Sequence, residues 1–89
     1  VNKTIFNTLT LSDNVSVSII EIKAYHYFKA ISLCNGNTNI LYKYLILCIV
    51  EVDNKLIEES YLNNMAFGDL SLIIESISAM IGDSYKNLL

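Results

Sequence analysis

From Thr4 to Ile20 the chain alternates with the period of a β-strand. Leu9, Leu11, Val15, Val17 and Ile19 share one side, while Thr8, Thr10, Ser16 and Ser18 take the other. Ser12-Asp13-Asn14 separates the two runs, and Asp and Asn tolerate the left-handed conformations that short hairpin loops need. The pattern predicts a β-hairpin over 4–20 centred on Asp13, with Leu11 opposite Val15 and Leu9 opposite Val17. Two strands alone are marginal in water, so the apolar side of the hairpin must rest on helices.

After Ile20 the period changes. Ala24, Tyr27, Phe28, Ile31 and Cys34 recur at helical spacing and define the expected core face of a first helix, with Lys23, His26 and Ala30 on its other faces. Asn35-Gly36-Asn37 stops that helix, and Thr38 is the expected N-cap of a second one running to about Val52. This second helix is apolar almost all round, which predicts a central position, packed on more than one side. Asp53-Asn54 is a turn. The preferred expectation there is helix, turn, helix, and the alternative is a small hairpin pairing Val50 to Val52 with Lys55 to Ile57. Glu58-Glu59 suits the first turn of a short helix reaching about Asn64. Gly68 then breaks the chain and Asp69 is the expected N-cap of a last helix. Its stripe, Leu70, Ile73, Ile74, Ile77, Met80 and Ile81, is the most regular in the sequence, and Gly82 is its expected end. The whole is an α+β fold, an N-terminal hairpin packed on a small bundle of three to four helices. It forms a single domain over 1–89, with the hairpin at 4–20, the helical part at 21–82 and a tail at 83–89.

Composition sharpens this picture in one respect. Apolar residues make up 53% of the 89 positions and charged residues 17%, and a domain this small buries only about 60% of its unfolded surface. Some apolar surface should stay exposed, which points to a protein partner or a second copy of the chain. The net charge is −3 and no segment gathers the basic residues, so nucleic acid is not an expected partner. The run Leu45 to Val50 is far below the roughly 20 residues of a membrane span, and no membrane partner is expected. Val1-Asn2-Lys3-Thr4 leads into polar alternation instead of a signal sequence. It reads as a cytoplasmic N-terminus that has lost its initiator methionine.

Catalytic chemistry finds little to work with. His26 has no cysteine or carboxylate at ligand spacing and is expected on the surface of the first helix; no metal or other cofactor is expected. Glu58 and Glu59 are adjacent, so they do not face one another on a helix. Asp53 and Asp69 are accounted for by turn and cap chemistry, and the three glycines are too far apart to cradle a phosphate. The protein is therefore expected not to be an enzyme. Cys34 and Cys48 lie on successive antiparallel helices, offset by more than about 10 Å at about 1.5 Å per residue. A disulfide spans only about 4.4 to 6.8 Å between Cα atoms, so both are expected as buried free thiols.

The tyrosines carry more. Tyr25 and Tyr27, like Tyr42 and Tyr44, stand two apart on a helix, so neither pair turns both rings to one core. Tyr25, Tyr42 and Tyr44 are the candidate partner-binding residues. Exposed rings with hydroxyls in water are the plainer alternative.

In order, the chain holds Leu11-Ser12-Asp13-Asn14, Tyr27-Phe28, Val52-Asp53-Asn54-Lys55 and Asp69 ahead of the last amphipathic helix. Over residues 8–81 this series resembles the small tail assembly chaperones of tailed bacteriophages, and the related baseplate hub assembly proteins. Asn14 and Asn54 stand where that family usually has glycine. The resemblance implies a helper of virion assembly that binds a tape measure or baseplate hub protein in the host bacterial cytoplasm, or a minor structural subunit retained in the tail. A small protein-binding adaptor outside phage biology is the remaining alternative.

With no ligand set and the two cysteines out of register, the melting temperature should be unchanged by chelator and by reductant. Thermal unfolding followed by circular dichroism checks this, and a drop with either reagent would reject it.

Overall fold

The computed structural model describes the backbone of residues 3–88 and the side chains of residues 3–82; Val1, Asn2 and Leu89 lie outside the described residues. The chain runs β1 (Ile5–Thr10), β2 (Ser16–Ile20), α1 (Ala24–Cys34), a 3₁₀ turn (Thr38–Ile40), α2 (Leu41–Ile49), β3 (Val50–Val52), β4 (Lys55–Leu56), α3 (Glu59–Asn63) and α4 (Phe67–Leu88). The α+β class holds. The strands form one antiparallel sheet in the order β1-β2-β3-β4.

The N-terminal hairpin has the expected register, with Leu9 opposite Val17 and the Leu11 N–H donating to the Val15 carbonyl at 2.9 Å. Asn14 takes the left-handed conformation at φ 65°. Strand β2 is central, bonded to β1 on one edge and to β3 on the other through Val17–Val52, Ser18–Glu51 and Ile19–Val50. Val17, Ile19 and Val50 on its inner face are fully buried, joined in the core by Ile46 and Ile49 of α2 and by Ile73 and Ile77 of α4.

Several expectations need correction. The second helix ends at Ile49, and Val50–Val52 pairs with Lys55–Leu56 as the small hairpin that was the less favoured alternative. The apolar run Leu45 to Val50 has no period to separate helix from strand, and Glu51 adds only a single polar position before Val52. Here the turn decides: Asp53 and Asn54 both adopt positive φ, 53° and 66°, the geometry a two-residue hairpin demands. The cap of the 3₁₀ turn is Asn37, whose side chain accepts from the Asn39 N–H, and not Thr38. Asp69 lies inside the first turn of α4 instead of capping it, and its N–H donates to Ala66 at 3.0 Å. Nor does Gly82 end that helix, which continues to Leu88 where a tail from residue 83 was expected. One glycine weakens a helix interior by about 1 kcal/mol, too little to stop one that is already long and packed.

The cysteines are free and both buried. On α4, Ile73 and Ile77 are fully buried, but Ile74, expected with them in the core, is half-buried at the edge of a groove. Ile77→Ala should therefore destabilise by about 2–5 kcal/mol, and Ile74→Ala by clearly less. Urea melts of the two variants check the order; equal losses would place Ile74 in the core after all.

Candidate docking surface and the cleft beside it

Helix α1 was expected to bury its aromatic side, and it does the reverse. The residues it buries are His26, Ala30 and Cys34, one helical turn apart, and they are what packs toward α2. Two of the three are small and let the helix backbones approach closely, whereas rings at this seam would hold them apart. The stripe of Ala24, Tyr27, Phe28 and Ile31 consequently faces out. Phe28 is 67% exposed and Tyr25 59%, and Tyr27, Ile31 and Leu33 are exposed as well. The helical period was legible in the sequence, and its direction was not. The signal for direction was small Ala30, four residues before Cys34, the one member of the expected stripe that is buried.

The expected tyrosines do not converge. Tyr25 stands on α1. Tyr42 lies at an apolar groove with Met65, Phe67, Leu70 and Ile74, its hydroxyl 3.1 Å from Ser78 Oγ. Tyr44 is half-buried, with Lys43 Nζ 5.9 Å from its ring centroid and paired to Glu59 at 2.6 Å. Helix α2 is better enclosed than its composition suggested, since Leu45, Ile46, Cys48 and Ile49 are buried. Tyr42 is its only exposed large apolar side chain. The main uncovered helix is α1. Tyr27, Phe28, Ile31 and Leu33 on α1, Ile5 and Phe6 on β1, Leu56 on β4, and Phe67 and Leu72 on α4 are exposed residues that sequence reasoning left out of its candidate surface.

At the N-terminal end of α1 the chain leaves a cleft of about 250 Å³. Its floor includes Ile20, Cys48 and Leu56, and Lys3, Lys23 and Lys29 also line it. Strand register explains the floor, because Glu51 and Leu56 pair across β3 and β4 on the face opposite Val17 and Ile19. Glu51 holds Lys3 at 2.6 Å.

His26 belongs to this cleft and is 7% exposed, where a surface position was expected. Its Nδ1 accepts the Lys23 N–H at 2.9 Å, fastening the start of α1, and its ring lies 4.1 Å from that of Tyr25. Burial first, then the charges of Lys23 and Lys29, lower its pKa below the ordinary 6.5. Burial raises the Cys48 thiol. Both groups are thus held neutral, the opposite of the thiolate–imidazolium pair that a cysteine nucleophile requires. Among the described residues no three His, Cys, Asp or Glu side chains stand together to hold a metal ion, and no helix is long and apolar enough to cross a membrane.

The chain matches no family model, no curated protein and no solved structure. Its function has to be inferred from its own surface, of which α1 is the most unusual part.

The buried His26 carries a pH signature. Because its folded pKa is depressed, the unfolded chain binds its proton first as the pH falls below about 6.5, so the stability it contributes is complete above that value and shrinks below it. The gap in urea stability between the native chain and His26→Gln should be widest at pH 7.5 and narrow toward pH 5.5. A constant gap would show that His26 does not titrate differently on folding.

Proposed function

We propose that this is a non-enzymatic protein-binding domain that acts stoichiometrically, docking its partner on the outward stripe of α1. The observation that carries this is the direction of the stripe. Single exposed apolar side chains are ordinary on a folded protein. Four on one helix of 11 residues, Tyr25, Tyr27, Phe28 and Ile31, form a surface that favours being covered. Rings of tyrosine and phenylalanine also give large contact area for little lost side-chain freedom, which suits an anchor.

Within this class the reading we favour is a phage tail or baseplate assembly protein whose partner is a tape measure or hub protein. The order of turns and helices in the sequence supports it. So does the geometry of the two turns: Asn14 and Asn54 adopt left-handed φ of 65° and 66°, as the glycines of that family would. A chaperone of this kind shields an aggregation-prone segment of its client until assembly, and α1 offers the apolar face for that task.

The test is co-production with a long coiled-coil tape measure protein of a tailed phage, chosen from the reading frames that neighbour this one, followed by purification of the complex. A stoichiometric complex is expected, and Phe28→Ser should weaken it by about 2 kcal/mol or more while the fold, followed by circular dichroism, is retained. Tyr25→Ser and Tyr42→Ser separate the α1 stripe from the groove at Tyr42. Undiminished association with Phe28→Ser and Ile31→Ser in a folded protein would reject α1 as the docking face, and no complex at all would reject the tail-assembly reading.

A further inference from the structure

The geometry points to a second site, separate from the docking stripe: the cleft at the start of α1 binds a small organic anion, a single carboxylate on a short apolar body. The carboxylate is received by His26 Nε2–H and by the ammonium groups of Lys23 and Lys29, and the body rests on Ile20 and Leu56.

Charge is the first argument. The chain is acidic, with nine carboxylates against six basic residues, yet three of those six line this one cleft. Lys3 is neutralised by Glu51. Lys23 and Lys29 have no ion-pair partner among the described residues, although Glu21 also borders the cleft. Lys29 lines the same cleft as His26 and Cys48. The first turn of α1 carries no acidic side chain, so the positive end of the helix adds to the same potential without compensation.

The second argument is the buried imidazole. Its Nδ1 is occupied as an acceptor by the Lys23 N–H, so in the neutral ring the proton sits on Nε2. Among the described residues no acceptor meets Nε2, and no buried side-chain nitrogen or oxygen is sealed away from both solvent and a partner. For a residue 7% exposed, the cleft is what remains for that N–H to face. A buried donor in a cleft that two unpaired ammonium groups also line can receive one anionic oxygen pair.

The walls choose among anions. Ile20 and Cys48 are buried and apolar, and Leu56 is half-open above them, which favours a hydrocarbon body over a hydrated ion. Glu21, which also lines the cleft and has no ion-pair partner among the described residues, opposes a second negative charge, so a monoanion fits better than a phosphate dianion. The volume, about 250 Å³, lies below the roughly 300–1,000 Å³ of sites for drug-sized ligands, so the ligand is small.

Sodium benzoate is a suitable probe, with benzyl alcohol as its neutral counterpart and inorganic phosphate as the alternative anion, each titrated into the full chain and followed by NMR. Benzoate should give saturable shifts confined to His26, Lys29, Ile20 and Leu56, with a dissociation constant on the order of 1 mM. It should also raise the pKa of His26, since a bound anion favours the imidazolium; Glu21, Tyr25, Cys48, Glu51 and the three lysines are the other titratable or charged groups lining that cleft. Lys29→Ala should weaken binding about tenfold, and Lys43→Ala, on α2, should not. The proposal is overturned by an unsaturated response, by equal shifts from benzyl alcohol, or by wild-type binding in Lys29→Ala. Shifts that map to the groove at Tyr42 also reject it, and phosphate binding as tightly as benzoate rejects the carboxylate class. None of these outcomes touches the docking stripe, which is tested through Phe28 and Ile31.

Discussion

The burial of Val17 and Ile19 beneath Ile73 and Ile77 is the contact on which the other elements depend. All four side chains are fully buried, and they join β2, which is bonded to β1 on one edge and to β3 on the other, to α4. A one-residue slip of β2 would carry Val17 and Ile19 to the opposite face and bring serines inward, so the same contact that makes the core also selects the register. Once α4 and the core side of α2 have taken the inner face of the sheet, no place remains there for a third helix. Helix α1 is left to pack on α2 from outside, which is why its aromatic stripe has nothing of this chain to cover it.

A line of polar fastenings fixes the hairpin to the helices it covers. The Ser12 N–H and Oγ–H donate to the Asp69 carboxylate at 3.1 and 2.7 Å, the Tyr61 hydroxyl donates to Asp13 at 3.0 Å, and the Asn7 amide donates to Ser76 at 3.1 Å. Burial, followed by the bond to Asp13, holds the Tyr61 phenol above its ordinary pKa. Asp69 is buried, and a buried carboxylate needs donors. Those donors come from a loop 57 positions away in sequence, and not from the helix terminus beside it. Local cap chemistry and a tertiary partner competed for the same side chain, and the tertiary partner prevailed.

That competition marks the boundary of what the sequence revealed. The hairpin register, the span of α1, the left-handed stop at Asn35 and the stripe of α4 were legible because each rests on nearest-neighbour geometry: a period of two, a period of 3.6, or a residue that tolerates positive φ. The fate of Val50–Val52 was not, since β-branched residues in an apolar run suit a buried helix or a buried strand until a neighbouring strand edge claims them. The orientation of α1 was hidden for a related reason. Hydrophobic periodicity locates a stripe, but its destination, core or partner, depends on which other surfaces reach the core first. His26 was misplaced by the same error, because choosing the aromatic side as the buried one put the histidine on the surface.

The manner in which α1 is attached bears on its use. Its buried side offers the core one alanine, one cysteine and one histidine, so it forfeits most of the apolar burial available to a helix of its length. A helix held so lightly is marginal on local propensity alone, yet two devices fix its ends: the His26 Nδ1 bond to the Lys23 N–H at the start, and left-handed Asn35 at the finish, whose N–H returns to Ser32. Fixing the ends keeps the helix formed while its aromatic face stays free. For a docking element this division is advantageous, because a preformed helix does not have to be ordered at the moment of binding, and the ordering entropy that a flexible segment would lose is already accounted for by the fold. The exposed rings of α1 are thus better understood as a surface held ready than as a core left unfinished.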